Sequence, residues 1–137
     1  MNVKKFSALI ATSTLLAGAL TGIAGTAAHA DVPPGTDNCL NALRYAQTDN
    51  QDATAADTAQ QPFKAEASDK GTTNSLVTAD TECLAQNETV TDNVVVATTN
   101  EALALAANVA GDASAALPYE QNVGYAIADA LAAVPTQ

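Results

Sequence analysis

The chain has 137 residues, 47% of them apolar, with 15 carboxylates against five Lys and Arg, one His, two Cys and a net charge of −10. So acidic a field repels nucleic acid and anionic membrane surfaces, leaving cations, basic proteins and neutral surfaces as compatible partners.

Residues 1–30 have the three parts of a cleavable export signal. Lys4 and Lys5 give a positive start, and residues 8–23 an apolar run diluted by Thr12, Ser13, Thr14, Gly18 and Thr21. Ala28-His29-Ala30 then offers the small residues a signal peptidase accepts. The apolar run falls short of the roughly 20 strongly apolar residues that span a bilayer. The Ala- and Thr-rich leader has a bacterial style, no Cys adjoins the cleavage site to take a lipid, and the C-terminus shows no sorting motif. The expectation is a secreted, extracellular protein beginning at Asp31, with no membrane association after cleavage.

The remaining 107 residues suffice for one small domain. They keep Arg44, Lys64 and Lys70 and all 15 carboxylates, for a net charge of −12, and they contain no His. Leu, Ile, Val and Phe supply 19 of the 107, close to the level of about 20% below which a charged chain tends to disorder. Twenty-four Ala favour helices that pack closely. Cys39 and Cys83, an isolated pair in an exported chain, predict an intramolecular disulfide, with an intermolecular bond as the alternative.

Residues 31–36, with Pro33, Pro34 and Gly35, read as an extended leader, and 37–137 as a single helical domain. Thr36 or Asp37 is suited to cap the first helix. Its seam, Cys39, Ala42, Ala46, Asp49, Ala53, Ala56, Gln60, Phe63 and Ala67, keeps a three-four alternation. Pro62 must break or kink it, and Gly71 is a natural stop. Residues 46–75 have Phe63 as their one large apolar side chain between Tyr45 and Leu76, so this stretch is expected to be the loosest.

Asn74 or Thr73 is placed to cap a second helix, whose Leu76, Val77, Cys83 and Leu84 form two neighbouring ridges. Residues 89–99, rich in Thr and Val, allow either a helix with Val90, Val94 and Ala97 buried or a short strand; the poor alternation favours helix. Residues 101–110 are helical, ending at Gly111. Residues 114–117 read as a connector, because the residue before a proline is pushed away from helix, and Pro118 as the first turn of a last helix with Glu120 near its positive end. Tyr119, Val123, Ile127, Ala130, Leu131 and Val134 give that helix an apolar face, and Pro135 ends it. The fold expected is an all-α up-and-down bundle of three to four Ala-rich helices braced by one disulfide, with partial disorder or a strand at 89–99 as alternatives.

Little chemistry is legible. Ser68, Ser75 and Ser114 have no imidazole to activate them, and a Ser-Lys arrangement with Lys64 or Lys70 has no supporting motif in the sequence. No His remains beside the two Cys to complete a zinc shell with them. Asp49-Asn50-Gln51-Asp52, with Asp57 nearby, fails as a calcium loop because Ala53 and Thr54 stand where a ligand and the Gly belong. Weak divalent binding by these acids competes with their being a solvated polar break in a helix. Asn87-Glu88-Thr89 is a three-residue glycosylation pattern of little specificity. Tyr119 and Tyr125, six residues apart, cannot both face the core, so one of them is a possible contact residue.

These readings assign no catalytic, cofactor-binding or metal-binding residue. They describe a non-catalytic secreted module that acts through contacts with a protein or cell-envelope component. A small hydrolase using carboxylates alone and a largely disordered acidic chain are the alternatives.

Overall fold

The computed structural model describes residues 32–59 and 62–135. The expected export signal, residues 1–30, lies outside the described residues, as do Gln60 and the side chains of Phe63 and Lys64. Four helices account for the described chain: α1 (Thr36–Thr58), α2 (Pro62–Glu82), α3 (Glu88–Val109) and α4 (Ala113–Ala133). Each packs on its neighbours in sequence, and α4 closes the ring against α1. Successive helices run antiparallel: Cys39 meets Cys83 at one end of the α1–α2 pair, and Asp57 meets Asp69 at the other.

The start of α1 departs from expectation. Gly35, not Thr36 or Asp37, is the capping residue, because the backbone there turns through φ +80°, which glycine adopts without strain. The Thr36 hydroxyl instead donates back to the Pro33 carbonyl at 2.6 Å. After α1 ends, Pro62 opens α2 at the first helical position, where its missing N–H costs nothing.

Gly71 does not stop a helix, nor do Thr73 or Asn74 start one; all three lie inside α2. The physical reason is the α1–α2 approach: a Cβ at Gly71 would sit 2.9 Å from Asp49 Cγ, so the glycine makes room for a neighbouring helix. Residues 46–58 and 62–75 are thus helical. Along α2 and the turn that follows it only one of the two expected ridges is buried: Leu76 and Cys83 face the core, while Val77 and Leu84 are exposed.

Residues 89–99 are helix, with Val90, Val94 and Ala97 fully buried. Burial of that ridge outweighs the β preference of Val94-Val95-Val96. Thr98 and Thr99 return their hydroxyls to the carbonyls of Val94 and Val95, four residues back. Past α3, Gly111 at φ +80° completes a Schellman turn, with Gly111 N–H on Asn108 O and Asp112 N–H on Ala107 O, both at 2.9 Å.

The expected connector at 114–117 is instead the first turn of α4. Asp112 caps it by accepting the Ala115 N–H at 3.0 Å, which outweighs the local influence of Pro118. Pro118 and Ser114 lie on the exposed face, so the Ser114 carbonyl that lacks a helical partner at Pro118 faces solvent rather than the core.

The interior is layered. At the disulfide end Leu40, Leu43, Ala79, Val90, Val94, Ala130 and Val134 surround Cys39 and Cys83, whose sulfurs are joined at 2.06 Å. The middle layer is Ala46, Leu76, Ala97, Val123, Ala126 and Ile127. Beyond it the apolar side chains shrink to Ala53, Ala56, Ala104 and Ala116, and the space they leave is filled by polar groups. No helix among the described residues is long and apolar enough to cross a membrane.

Candidate metal centre

The polar end of the bundle is built from the same ridges that carry the core. In α1 the ridge runs Cys39, Leu43, Ala46, Asn50, Ala53, Asp57; in α2 it runs back from Cys83 through Ala79, Leu76 and Thr72 to Asp69. In α3 it runs Val90, Val94, Ala97, Glu101, Ala104, Asn108, and in α4 from Val134 back through Ala130, Ile127 and Val123 to Glu120. Each helix therefore delivers a polar side chain to one point on the bundle axis. Three- and four-residue spacing dictates this once the apolar part of each ridge is buried.

The result is a buried acidic cluster. Asp57, Asp69 and Glu120 are 3%, 0% and 0% exposed, and one carboxylate oxygen from each lies within 4.8 Å of the others. Asn108, 7% exposed, directs its carboxamide nitrogen at Asp57 Oδ2 (3.0 Å), at Glu120 Oε2 (3.1 Å) and at Asp69 Oδ2. Asn50 braces the site from α1, donating to the Glu120 backbone carbonyl at 3.0 Å, and Gly124 on α4 admits its side chain. One layer inward Glu101 is also buried, with its Oε2 held by the Thr73 hydroxyl at 3.0 Å.

Such a cluster is costly for a chain with no basic side chain buried among the described residues. Burial pushes the Glu101 carboxyl up to about 8, and the charge of Asp69 adds to the shift. Glu120 is raised foremost by burial, then by a hydrogen bond with Asp57 and by the charges of Asp69 and Asp57. Asp69 is raised by burial and by Asp57, against the opposing hydrogen bonds of Asn108 and Glu120. A proton shared among these groups lets them stand together, and a cation supplies the same compensation more fully.

Oxygens remain for such an ion. Asp57 Oδ1, Asp69 Oδ1, Asn108 Oδ1, Glu120 Oε1 and, nearby, Glu101 Oε1 are buried with no hydrogen-bond partner among the described residues. Buried polar atoms are rarely left so. An all-oxygen donor set suits a hard cation of the Ca²⁺, Mg²⁺ or Mn²⁺ class and offers nothing to the nitrogen- and sulfur-seeking metals. A groove of about 530 Å³ between α1 and α4, lined by Gln47, Asn50, Gln51, Thr54 and Glu120 among others, lies on the surface beside the site.

The other expected positions lie elsewhere. Asp49 is half-buried beside Gly71, its carboxyl raised by burial and by Asp52, and Asp52 is exposed. The 49–52 stretch is therefore no solvated break: Asn50 is buried and belongs to the centre, as does Asp57. Asn87 caps α3 and donates to the Ala133 carbonyl at 2.9 Å, so its amide has a structural task. Tyr125 is 43% exposed at the rim of the α1–α4 groove, and Tyr119 is half-buried. Asp69, Glu101, Asn108 and Glu120 carry no local motif, and only their place on an otherwise apolar ridge marks them. No family model matches the chain, and no curated protein or solved structure is similar to it.

Proposed function

We propose that the chain, exported by residues 1–30, is a non-catalytic extracellular helical module that binds one hard divalent cation through Asp57, Asp69 and Glu120. The observation that carries this reading is the convergence of three buried carboxylates from three helices with unpartnered oxygens and no buried basic residue among the described ones. Export brings such a module to an environment rich in calcium, where sites with dissociation constants of about 0.1–1 mM are filled. A disulfide between Cys39 and Cys83 fits the same oxidising environment.

The carboxylates are enclosed and share the Asn108 amide as a common hydrogen-bond donor, which supports a binding role over a catalytic one. The ion joins α1, α2 and α4 at the end of the bundle opposite the disulfide, so each end has its own brace. The outer surface, which carries Tyr45 at 70% and Tyr125 at 43% exposure, is then the face that contacts a protein or envelope partner.

Equilibrium dialysis of residues 31–137 against calcium, magnesium and manganese tests this reading. One saturable site per chain that is lost in Asp69→Asn and in Glu120→Gln is expected. Binding that is absent, or unchanged in both variants, would count against it.

A further inference from the structure

Asn108 is the residue of the centre that the carboxylates alone do not explain. Its amide nitrogen has two hydrogens but faces three carboxylate oxygens, on Asp57, Asp69 and Glu120, so it cannot satisfy all three with well-directed bonds. Its oxygen, Oδ1, is buried and has no partner among the described residues. The side chain is more than nine-tenths buried, and its carboxamide end is held among the three acids. A nitrogen-inward carboxamide suits carboxylates with no cation between them. An ion reverses that preference, because the N–H groups repel it and the carbonyl oxygen attracts it.

We propose that Asn108 is itself a ligand of the ion, turning its carboxamide so that Oδ1 joins Asp57, Asp69 and Glu120 and completes a set drawn one from each helix. This rests on the cation reading above and deepens it. Amide oxygen and nitrogen are nearly the same size, so the half-turn about the last side-chain bond needs no extra room. Three carboxylates binding through both oxygens and one amide oxygen give about seven ligands, within the six to eight that calcium takes and beyond the octahedral six of magnesium. The oxygens required are the second ones of Asp57, Asp69 and Glu120, those left without partners. A neutral fourth ligand adds coordination without adding to the anionic repulsion. It also ties α3 to the other three helices, which the carboxylates do not do.

Calorimetric titration of residues 31–137 with calcium chloride at pH 7.5, using Asn108→Asp and Asn108→Leu, separates a ligand from a mere donor. An oxygen ligand predicts that Asn108→Asp binds calcium within threefold of the parent or more tightly, while Asn108→Leu binds at least tenfold more weakly. If Asn108 serves only by donating N–H groups to position the acids, Asp lacks the donor just as Leu does. Equal weakening of both variants therefore overturns the proposal, as does Asn108→Leu binding as tightly as the parent. Should either variant not fold, the side-chain carbonyl carbon of Asn108 in the labelled parent reports directly. It is expected to shift downfield as calcium is added, and an unmoved resonance at saturation overturns the proposal. A parent that binds no calcium, magnesium or manganese ends the cation reading itself, a result distinct from failure of Asn108 alone.

Discussion

Replacing Glu101 by Gln isolates the cost of a buried carboxylate. Glu101 is 2% exposed, and burial carries its carboxyl from an ordinary 4.5 up to about 8. A group whose pKa is higher in the folded chain favours the folded state while protonated in both states, and that advantage is lost as pH rises through the folded value. Stability is therefore greatest below about pH 4.5 with respect to this group. At about 1.4 kcal/mol per unit, roughly 3 kcal/mol is lost by pH 7 and roughly 5 kcal/mol by pH 9. Those are large fractions of the 5–15 kcal/mol typical of a domain. Glutamine has the same shape, still accepts from the Thr73 hydroxyl and does not ionise. Urea denaturation at pH 5, 7 and 9 in the presence of a chelator should give Glu101→Gln a stability close to the parent at pH 5 and several kcal/mol above it at pH 9. A parent that gains stability from pH 5 to 9, or a variant that loses as much as the parent does, would refute this account of the buried layer.

Calcium at 5 mM should stabilise residues 31–137 by about 2 kcal/mol if the site binds with a dissociation constant near 0.1 mM, raising Tm by roughly 10 °C. Thermal melts should show a larger rise at pH 9 than at pH 5, where the ion must displace the protons that the raised carboxyls hold. Reducing the Cys39–Cys83 bond, or replacing both residues by Ser, frees a loop spanning 44 residues and should cost about 4 kcal/mol in urea denaturation. Gly71→Ala should destabilise the bundle by roughly 1–2 kcal/mol even though alanine is the better helix former, because the new methyl displaces the Asp49 side chain. Denaturation of Gly71→Ala with Asp49→Ala should recover most of that loss, and no recovery would exclude the α1–α2 clash as its cause.

Fold class was legible because the apolar ridges obey a helical period even where the residues are only Ala: Cys39, Ala42, Ala46, Ala53 and Ala56 of the expected α1 seam and the face of α4 from Val123 to Val134 turn inward, whereas Asp49 is half-buried and Ala67, expected on the same seam, is exposed. Gly71 and Pro118 misled because each was weighed by its intrinsic preference. Gly71 is set by a neighbouring helix, and the effect of Pro118 is outweighed by the cap at Asp112. The candidate centre was not legible as a motif, since its members are separated by up to 63 positions and belong to 15 similar carboxylates. A weak signal existed. Asp57, Asp69, Glu101 and Glu120 each continue an apolar ridge at the three- or four-residue step, where a merely solvated acid has no reason to be. Charge density along 49–57 does not distinguish exposed Asp52 from buried Asp57.

The most direct test of the buried centre is an anomalous difference map from crystals of residues 31–137 grown with manganese, which takes the same oxygen ligands and scatters anomalously. The account predicts a single strong peak enclosed by Asp57, Asp69, Asn108 and Glu120. Peaks confined to exposed carboxylates such as Asp52, with none inside the bundle at saturating manganese, would contradict it.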